Sequence, residues 1–251
     1  NVTNLGEAPS NIRISHNELT EHVAAGSSVI KLSTTDPDRD NTFTYTRVKG
    51  EGDDDNSYFR IDGDNLIIRS SPNIKIKDSY QVRLKTTDSD GLSHEQSITL
   101  RVTDINERPS SLELSTTKIY ENIAVNSAVT TLSTTDPDMS DSFAYSLVNG
   151  DGDDDNDVFS ISGNQLLINE SPDFETKDTY RIRLQTTDLA GLTHEQSHIL
   201  NIRNLNENPT AITISNARID ENIIAGSAVA TLRTTDPDMS DSFAYSLVNG
   251  D

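Results

Sequence analysis

The sequence predicts an all-β protein built from tandem sandwiches, and three observations carry that prediction. The chain repeats with a period of one hundred residues, so that Glu21, Glu121 and Glu221 head the same phrase; Glu121-Asn122-Ile123-Ala124 recurs as Glu221-Asn222-Ile223-Ile224. Within each period apolar residues alternate with polar ones over short runs, as at Tyr80, Val82 and Leu84, which is the pattern of half-buried strands. Each period also closes on a phrase that ends in proline: Asp104-Ile105-Asn106-Glu107-Arg108-Pro109 becomes Asn204-Leu205-Asn206-Glu207-Asn208-Pro209, and is foreshadowed by Asn4-Leu5-Gly6-Glu7-Ala8-Pro9. Proline cannot donate to a sheet and biases its predecessor to an extended conformation, so these joints are short and stiff. A flexible tether would be longer and rich in glycine and serine. A unit of this length can bury a modest core without leaning on its neighbours, unlike a solenoid repeat. The expected domains are residues 1–107, 108–207 and 208–251.

Copy one opens with Ile12 and Ile14, followed by Glu21 and an apolar run from Val29 to Leu32. Asp36-Pro37-Asp38-Arg39-Asp40 is rich in turn formers and leads to Phe43, Tyr45 and Val48. An acidic turn, Glu51 to Asn56, precedes Phe59 and Ile61, and Gly63-Asp64-Asn65 turns the chain into Leu66 to Ile68. Tyr80, Val82 and Leu84, a turn at Asp88-Ser89-Asp90-Gly91, and Ile98, Leu100 and Val102 complete seven short strands at the spacing of a sandwich. Copy two repeats this order, with His198 where copy one has Ile98; we expect a partly buried or edge histidine held by a hydrogen bond. In copy three, residues 231–251 match 131–151 at every position but Arg233 for Ser133, so the first three strands are expected and the rest of that sandwich lies outside the sequence. Such a piece is expected to rest on copy two, to fray, or to be completed by chain beyond residue 251.

Composition narrows the function. With 41 acidic and 20 basic side chains the formal charge is -21, a field that repels nucleic acid and anionic membrane and draws cations. Cysteine is absent, which excludes disulfides, thiolate nucleophiles and thiolate metal sites. No apolar run approaches transmembrane length and no signal segment is present; the chain begins inside a repeat, so any export signal is expected outside it.

The acids are placed where consecutive copies meet. At the second joint these are Glu121, Asp173 and Glu175 from loops of copy two, Asn204, Asn206 and Glu207 from the linker, and Asp236 and Asp238 from copy three. Hard carboxylate, amide and carbonyl oxygens are the donors calcium prefers. Clustered carboxylates also repel one another unless a cation sits among them, which would couple metal binding to the angle between copies.

Five phrases together resemble cadherin repeats: Asp104-Ile105-Asn106-Glu107-Arg108-Pro109, Glu121-Asn122-Ile123, Asp136-Pro137-Asp138, Asp173-Phe174-Glu175 and Thr187-Asp188-Leu189-Ala190-Gly191-Leu192. The likeness covers essentially the whole chain and runs nearest to the cadherin-like repeats of large bacterial surface proteins. It implies Greek-key, immunoglobulin-like sandwiches end to end, with calcium at each joint. For the first joint it implies Glu21 from copy one, Asp104, Asn106 and Glu107 from the linker with the backbone oxygens of Ile105 and Arg108, and Asp136, Asp138 and Asp188 from copy two. For the second it implies Glu121, Asp173, Glu175, Asn204, Asn206, Glu207, Asp236 and Asp238. A half-site of Asp36, Asp38 and Asp88 with Asn4 and Glu7 is expected at the front. Two departures stand out: Lys75 takes the place of Glu175, and a protonated amine cannot ligate a metal, while Asn204 takes the place of Asp104. Glu107 and Glu207 also stand where the animal pattern has aspartate.

Two further constellations were weighed. Asp151-Gly152-Asp153-Asp154-Asp155-Asn156-Asp157 imitates the first half of a calcium loop, but Ser162 stands at its twelfth position, so a solvated acidic turn is the expectation. His94 with Glu95, and His194 with Glu195, have no nucleophile beside them and read as surface pairs; no enzyme is expected. The chain is accordingly read as a calcium-dependent, rod-forming structural or adhesive segment of an extracellular bacterial protein. Its partners would be calcium ions, neighbouring repeats and a homophilic protein or carbohydrate contact, with no nucleic acid. A carbohydrate- or protein-binding module, or a non-catalytic spacer within an exported enzyme, is the alternative.

Overall fold

The computed structural model describes residues 5–138, 141–239 and 241–249. The chain forms two compact units, Asn1–Asn106 and Glu107–Asp251, and each is described by itself.

The first unit contains β1 (Asn11–Ile14), β2 (Glu18–Thr20), β3 (Ser28–Thr35), β4 (Thr44–Arg47), β5 (Phe59–Asp62), β6 (Asn65–Ile68), β7 (Ser79–Thr87) and β8 (Ser93–Thr103). They form two four-stranded sheets, in the orders β1-β3-β6-β5 and β2-β8-β7-β4. Eight segments stand where seven strands were expected because the first strand divides between the sheets. β1 runs antiparallel to β3 and β2 runs parallel to β8. The cause is local: Ile12 and Leu19 are both buried, and the polar Ser15-His16-Asn17 between them carries the chain across the sandwich edge. Gln96 of β8 secures the crossing from the other side, its Oε1 accepting the Ile12 N–H at 3.0 Å.

Alternation along β7 sends Tyr80, Val82 and Leu84 into the core and Gln81 outward. They meet Ile12, Leu19, Ile30, Leu32, Phe59, Leu66, Ile68 and Leu100 from the surrounding strands. Phe59 packs edge-on against Tyr80, with ring centroids 5.5 Å apart and planes at 89°. Thr86 is buried at the end of this layer, where its hydroxyl lies 2.8 Å from that of Thr34.

The second unit repeats the design with β9 (Ser111–Leu114), β10 (Lys118–Tyr120), β11 (Ala128–Thr135), β12 (Ala144–Leu147), β13 (Phe159–Ser162), β14 (Gln165–Ile168), β15 (Thr179–Thr187) and β16 (Thr193–Arg203). The sheets are β13-β14-β11-β9 and β10-β16-β15-β12. Phe159 again meets Tyr180 edge-on, at 5.6 Å. His198 departs from expectation: it is half-buried on β16, but its Nε2 is buried with no hydrogen-bond partner among the described residues. Burial lowers its pKa below the ordinary 6.5, because desolvation disfavours the imidazolium.

Copy three contributes β17 (Ala211–Ile214) and β18 (Leu232–Thr235), paired antiparallel as β9 pairs with β11. The third strand expected there, the counterpart of β12, does not form among the described residues. In copy two β12 is held by β15, from Ala144 opposite Thr187 to Leu147 opposite Leu184. β18 is likewise shorter than β11, whose first half pairs with β14. Among the described residues Ile212 is 66% exposed, whereas Leu112 at the same place in copy two is 0% exposed.

Two stability tests follow from the packing. Phe159→Ala should cost about 3–5 kcal/mol in urea unfolding, the usual cost of emptying an aromatic core site. His198→Ile should stabilise the chain by about 1–3 kcal/mol by removing the unpaired nitrogen. It should also remove an acid sensitivity. The native imidazole resists the proton that the unfolded chain takes up, so wild-type stability is full above pH 6.5 and falls as pH drops below it, whereas the variant should be flat across that range.

Candidate metal centre

The site is built around a buried glutamate. Glu121, 1% exposed, follows β10 and accepts the N–H of Leu205 on Oε1 at 2.6 Å and that of Phe174 on Oε2 at 2.8 Å. One carboxylate thus fastens the linker after β16 and the loop after β14 to the loop after β10. The turn that presents it needs a left-handed residue: Asn122 has φ 61°, a conformation asparagine tolerates better than most residues. The Asn122 N–H is donated to the Pro172 carbonyl at 2.9 Å and its side-chain amide to Glu207 Oε1 at 2.8 Å. Copy one repeats the device, with Glu21 accepting the N–H groups of Ile105 at 3.0 Å and Ile74 at 3.1 Å, and His22 at φ 59°. Burial works to raise the Glu21 carboxyl. The Ile105 and Ile74 amides, the Asp104 side chain and neighbouring His22 outweigh it and hold the group below its ordinary value of 4.5.

Around Glu121 the structure gathers the acids read from the sequence for the second joint. Ligand oxygens of Glu121, Asp173 and Glu175 lie within 4.8 Å of one another, and those of Glu175, Glu207 and Asp238 meet the same limit, so Glu175 belongs to both groups. Asn204 donates its amide to Glu175 Oε1 at 2.8 Å. The Glu207 N–H is donated to Asp238 Oδ2 at 2.6 Å, and the Asp238 N–H to Asp236 Oδ1 at 3.0 Å. Asn206 spends its amide hydrogen on the Glu207 carbonyl at 3.0 Å. The Glu175 carboxyl sits above its ordinary range, first through loss of water and then through repulsion by Glu121, Glu207 and Asp238, against a hydrogen bond with its own backbone. None of Glu121, Asp173, Glu175, Glu207 or Asp238 forms an ion pair with lysine or arginine among the described residues.

The residues read from the sequence for the first joint fall in both units. Glu21, Asp104 and Asn106 belong to one, and Glu107, Asp136, Asp138 and Asp188 to the other. Within the second unit the Glu107 N–H is donated to Asp138 Oδ2 at 2.6 Å, the same contact that Glu207 makes with Asp238. Asp188 is buried and accepts the Leu192 N–H at 2.8 Å. At the front, the Glu7 N–H reaches Asp38 Oδ2 at 2.7 Å; Asn4 lies outside the described residues. The sequence reading missed Asp141 and Asp241, which join Asp136 with Asp138 and Asp236 with Asp238. Their recurrence one period apart, against Asn41 in copy one, was the available signal.

The donor set suits a hard divalent cation. It offers carboxylate and amide oxygens without nitrogen or sulfur ligands, and Asp236 Oδ2 is buried with no hydrogen-bond partner. These clusters could therefore coordinate such an ion.

No family model matches the sequence. Mouse cadherin-9 is 25% identical over 261 residues, covering 90% of this chain and 32% of that protein. Human cadherin-12 is 27% identical over 184 residues, covering 65% of this chain and 22% of that protein. The chain is similar to animal cadherins. Among solved structures, the protocadherin gamma B4 extracellular domain covers 95% of this chain and 39% of its own at a TM-score of 0.60 and 21% identity. Human protocadherin-24 EC1-2 covers 79% of this chain and 97% of its own at 0.58 and 19%. These likenesses show the cadherin-type sandwich fold, and the chain spans a third or less of the length of the curated relatives named. They also correct the sequence reading on one point. The proteins matched are mouse and human cadherins and protocadherins, which overturns the assignment to a bacterial surface protein.

The remaining constellations are structural. Asp155 of the acidic turn is buried, accepts the Arg181 N–H at 2.8 Å and pairs with the Lys177 ammonium, which lies 5.1 Å from the Tyr180 ring centre. Copy one matches it with Asp55 and Lys77 at 2.9 Å. This turn is neither solvated at Asp155 nor open to an ion there. Glu195, beside His194, pairs with Arg183 at 2.8 Å, which holds its carboxyl low with help from Gln185. Among the described residues no helix is long and apolar enough to cross a membrane.

Glu121→Ala should destabilise the metal-free chain by about 2–5 kcal/mol in urea unfolding, since two buried N–H donors lose their acceptor. Glu175→Ala should not destabilise it, because that change relieves repulsion. In copy one the depressed Glu21 carboxyl adds stability above its ordinary 4.5 that is lost as pH falls through and below that value. Glu21→Gln should therefore reduce the acid dependence of the melting temperature.

Proposed function

We propose that the chain is a calcium-dependent, adhesive cadherin-type segment of an extracellular protein, in which calcium fixes the joint between copies two and three. The observation that carries this reading is the convergence of Glu175, Glu207 and Asp238 from a loop of copy two, the linker and copy three. Three carboxylates from three segments repel while they are uncompensated, so the joint is under electrostatic strain that a cation would reverse. Calcium would supply positive charge shared among hard oxygens. The chain does the rest: Glu121 anchors the linker and the Phe174 loop, Asn122 and Asn204 orient Glu207 and Glu175, and the Glu207 amide holds Asp238. Module-type affinities of about 10⁻⁴ to 10⁻³ M would keep such a site filled outside cells. The likeness to cadherins supports extracellular placement and contact with a second copy of the same protein.

Titrating the full chain with calcium should release or absorb heat and raise the melting temperature reversibly, with a stabilisation of about 0.4–1.4 kcal/mol per ion at about 1 mM calcium. Chelator should undo both effects. Calorimetry without calcium heat, together with a melting curve indifferent to chelator, would overturn the reading. Self-association that rises with calcium in analytical ultracentrifugation would support the adhesive part, and a strict monomer at high concentration would count against it.

A further inference from the structure

The sheet β10-β16-β15-β12 packs one side on the core of copy two and turns the other to solvent. Exposed on the solvent side are Lys118 and Tyr120 of β10, Arg203 of β16 and Arg181 of β15. Strand register places them: Lys118 lies opposite Asn201, Tyr120 opposite Arg203, and Arg181 opposite Ile199. With strands about 4.8 Å apart and a rise of about 3.4 Å per residue, the backbones of the three cations stand about 8–14 Å from one another across three strands. None of Lys118, Arg181 and Arg203 forms an ion pair among the described residues. Arg183, on the same side, is spent on Glu195 at 2.8 Å. Tyr120 and Ile199 add apolar surface, being 53% and 50% exposed.

Neither the core nor the acidic joint requires this set of side chains. Copy one, with the same strand order, has Glu18, Thr20, Gln81 and Thr103 where copy two has Lys118, Tyr120, Arg181 and Arg203, although it has Arg101 in place of Asn201. Copy two thus gathers cations and an aromatic ring on one face of a chain whose formal charge is -21. That overall charge repels anions at long range, but salt screens it beyond about 8–10 Å, and a ligand in contact meets the local cations. Three charges spread over three strands suit a polymer with repeating anionic groups better than one small ion. The rest of the face suits a carbohydrate. The Tyr120 ring offers an apolar plate on which the C–H side of a sugar packs, and Asn201 and Thr179, exposed and opposite one another, offer amide and hydroxyl hydrogen bonds. Arginine also presents the forked donors that match an oxyanion.

We infer that the outward face of β10, β16 and β15 binds an acidic polysaccharide, with Lys118, Arg181 and Arg203 pairing with its sulfate or carboxylate groups and Tyr120 packing on a sugar ring. The inference takes from the proposed function only the extracellular placement that brings such a polymer within reach, and it needs no calcium.

The test is titration of the full chain with dextran sulfate, beside neutral dextran of the same backbone, polyglutamate and duplex DNA. Chelator is present throughout, so that no metal bridges the polymer to the acidic joints. Dextran sulfate should bind at about 0.1 M salt and be released as salt rises, and neutral dextran should not bind. Lys118→Ser, Arg181→Ser and Arg203→Ser should each weaken binding about two- to fivefold. Lys49→Ser, which removes the same charge from an exposed site in copy one, should leave binding unchanged. Tyr120→Ser should weaken dextran sulfate and not polyglutamate. A parent chain that ignores dextran sulfate overturns the inference, as does a Lys49→Ser loss equal to that of Lys118→Ser. Polyglutamate or DNA binding as tightly as dextran sulfate, with Tyr120→Ser without effect, makes the face a general anion patch and overturns the carbohydrate. None of these results touches the calcium reading, which fails only in the calcium titration.

Discussion

A single buried carboxylate in each of the first two copies ties the segment that leaves the sandwich back to it. Glu121 accepts two backbone N–H groups from segments far apart in the sequence, Phe174 and Leu205, and so ties the linker to the sandwich it leaves. Two buried amides would otherwise be orphaned, and a charge-assisted acceptor is the strongest partner available to them. Two of the acids gathered nearby sit beside these anchors in the chain. Glu175 lies one residue beyond the Phe174 amide, and Glu207 two residues beyond that of Leu205.

The arrangement separates two kinds of stability. The sandwich of copy two is held mainly by an apolar layer in which Phe159, Tyr180, Ile182 and Leu184 pack, and Asp155, buried nearby, has its own lysine. The joint is the reverse, a concentration of negative charge whose members lack basic partners among the described residues. Removing charge compensation would therefore loosen the joint long before it unfolded a strand, since repulsion acts where the carboxylates meet and the core lies elsewhere. Copy three shows the complementary case. Its charged loop is formed around Asp236 and Asp238 beside the single strand pair β17 and β18 described there.

Much of this was legible in the residues. The hundred-residue period, the alternation in β7 and β15 and the proline-ended joints identify tandem sandwiches, because the core face of a strand must be apolar at every second position. The nearness of Glu121 to Asp173 and Glu175, and of Glu175 to Glu207 and Asp238, could be expected from phrases repeated in register, which fall at corresponding places in a fold. Other features were not. The division of the opening strand into β1 and β2 depends on which sheet offers an edge at Ile12 and at Leu19. The burial of Asp155 against Lys177 was hidden because a run of acids reads as solvated until the fold brings a lysine from another loop. The nearness of Asp141 to Asp136 and Asp138 was likewise not legible, since it depends on how the loop after β11 folds.

What the sequence determined by itself was periodicity and chemistry: a sandwich per hundred residues, a surplus of hard oxygen donors, and their concentration at the joints. Those follow from local pattern and composition, which survive without knowledge of any long-range contact. Tertiary structure alone decided which oxygens are spent on backbone amides and which find no partner among the described residues, His198 Nε2 being one nitrogen left so. Each of these outcomes depends on a neighbour tens of residues away in the chain, and such a neighbour acquires its position only when the strands between have paired.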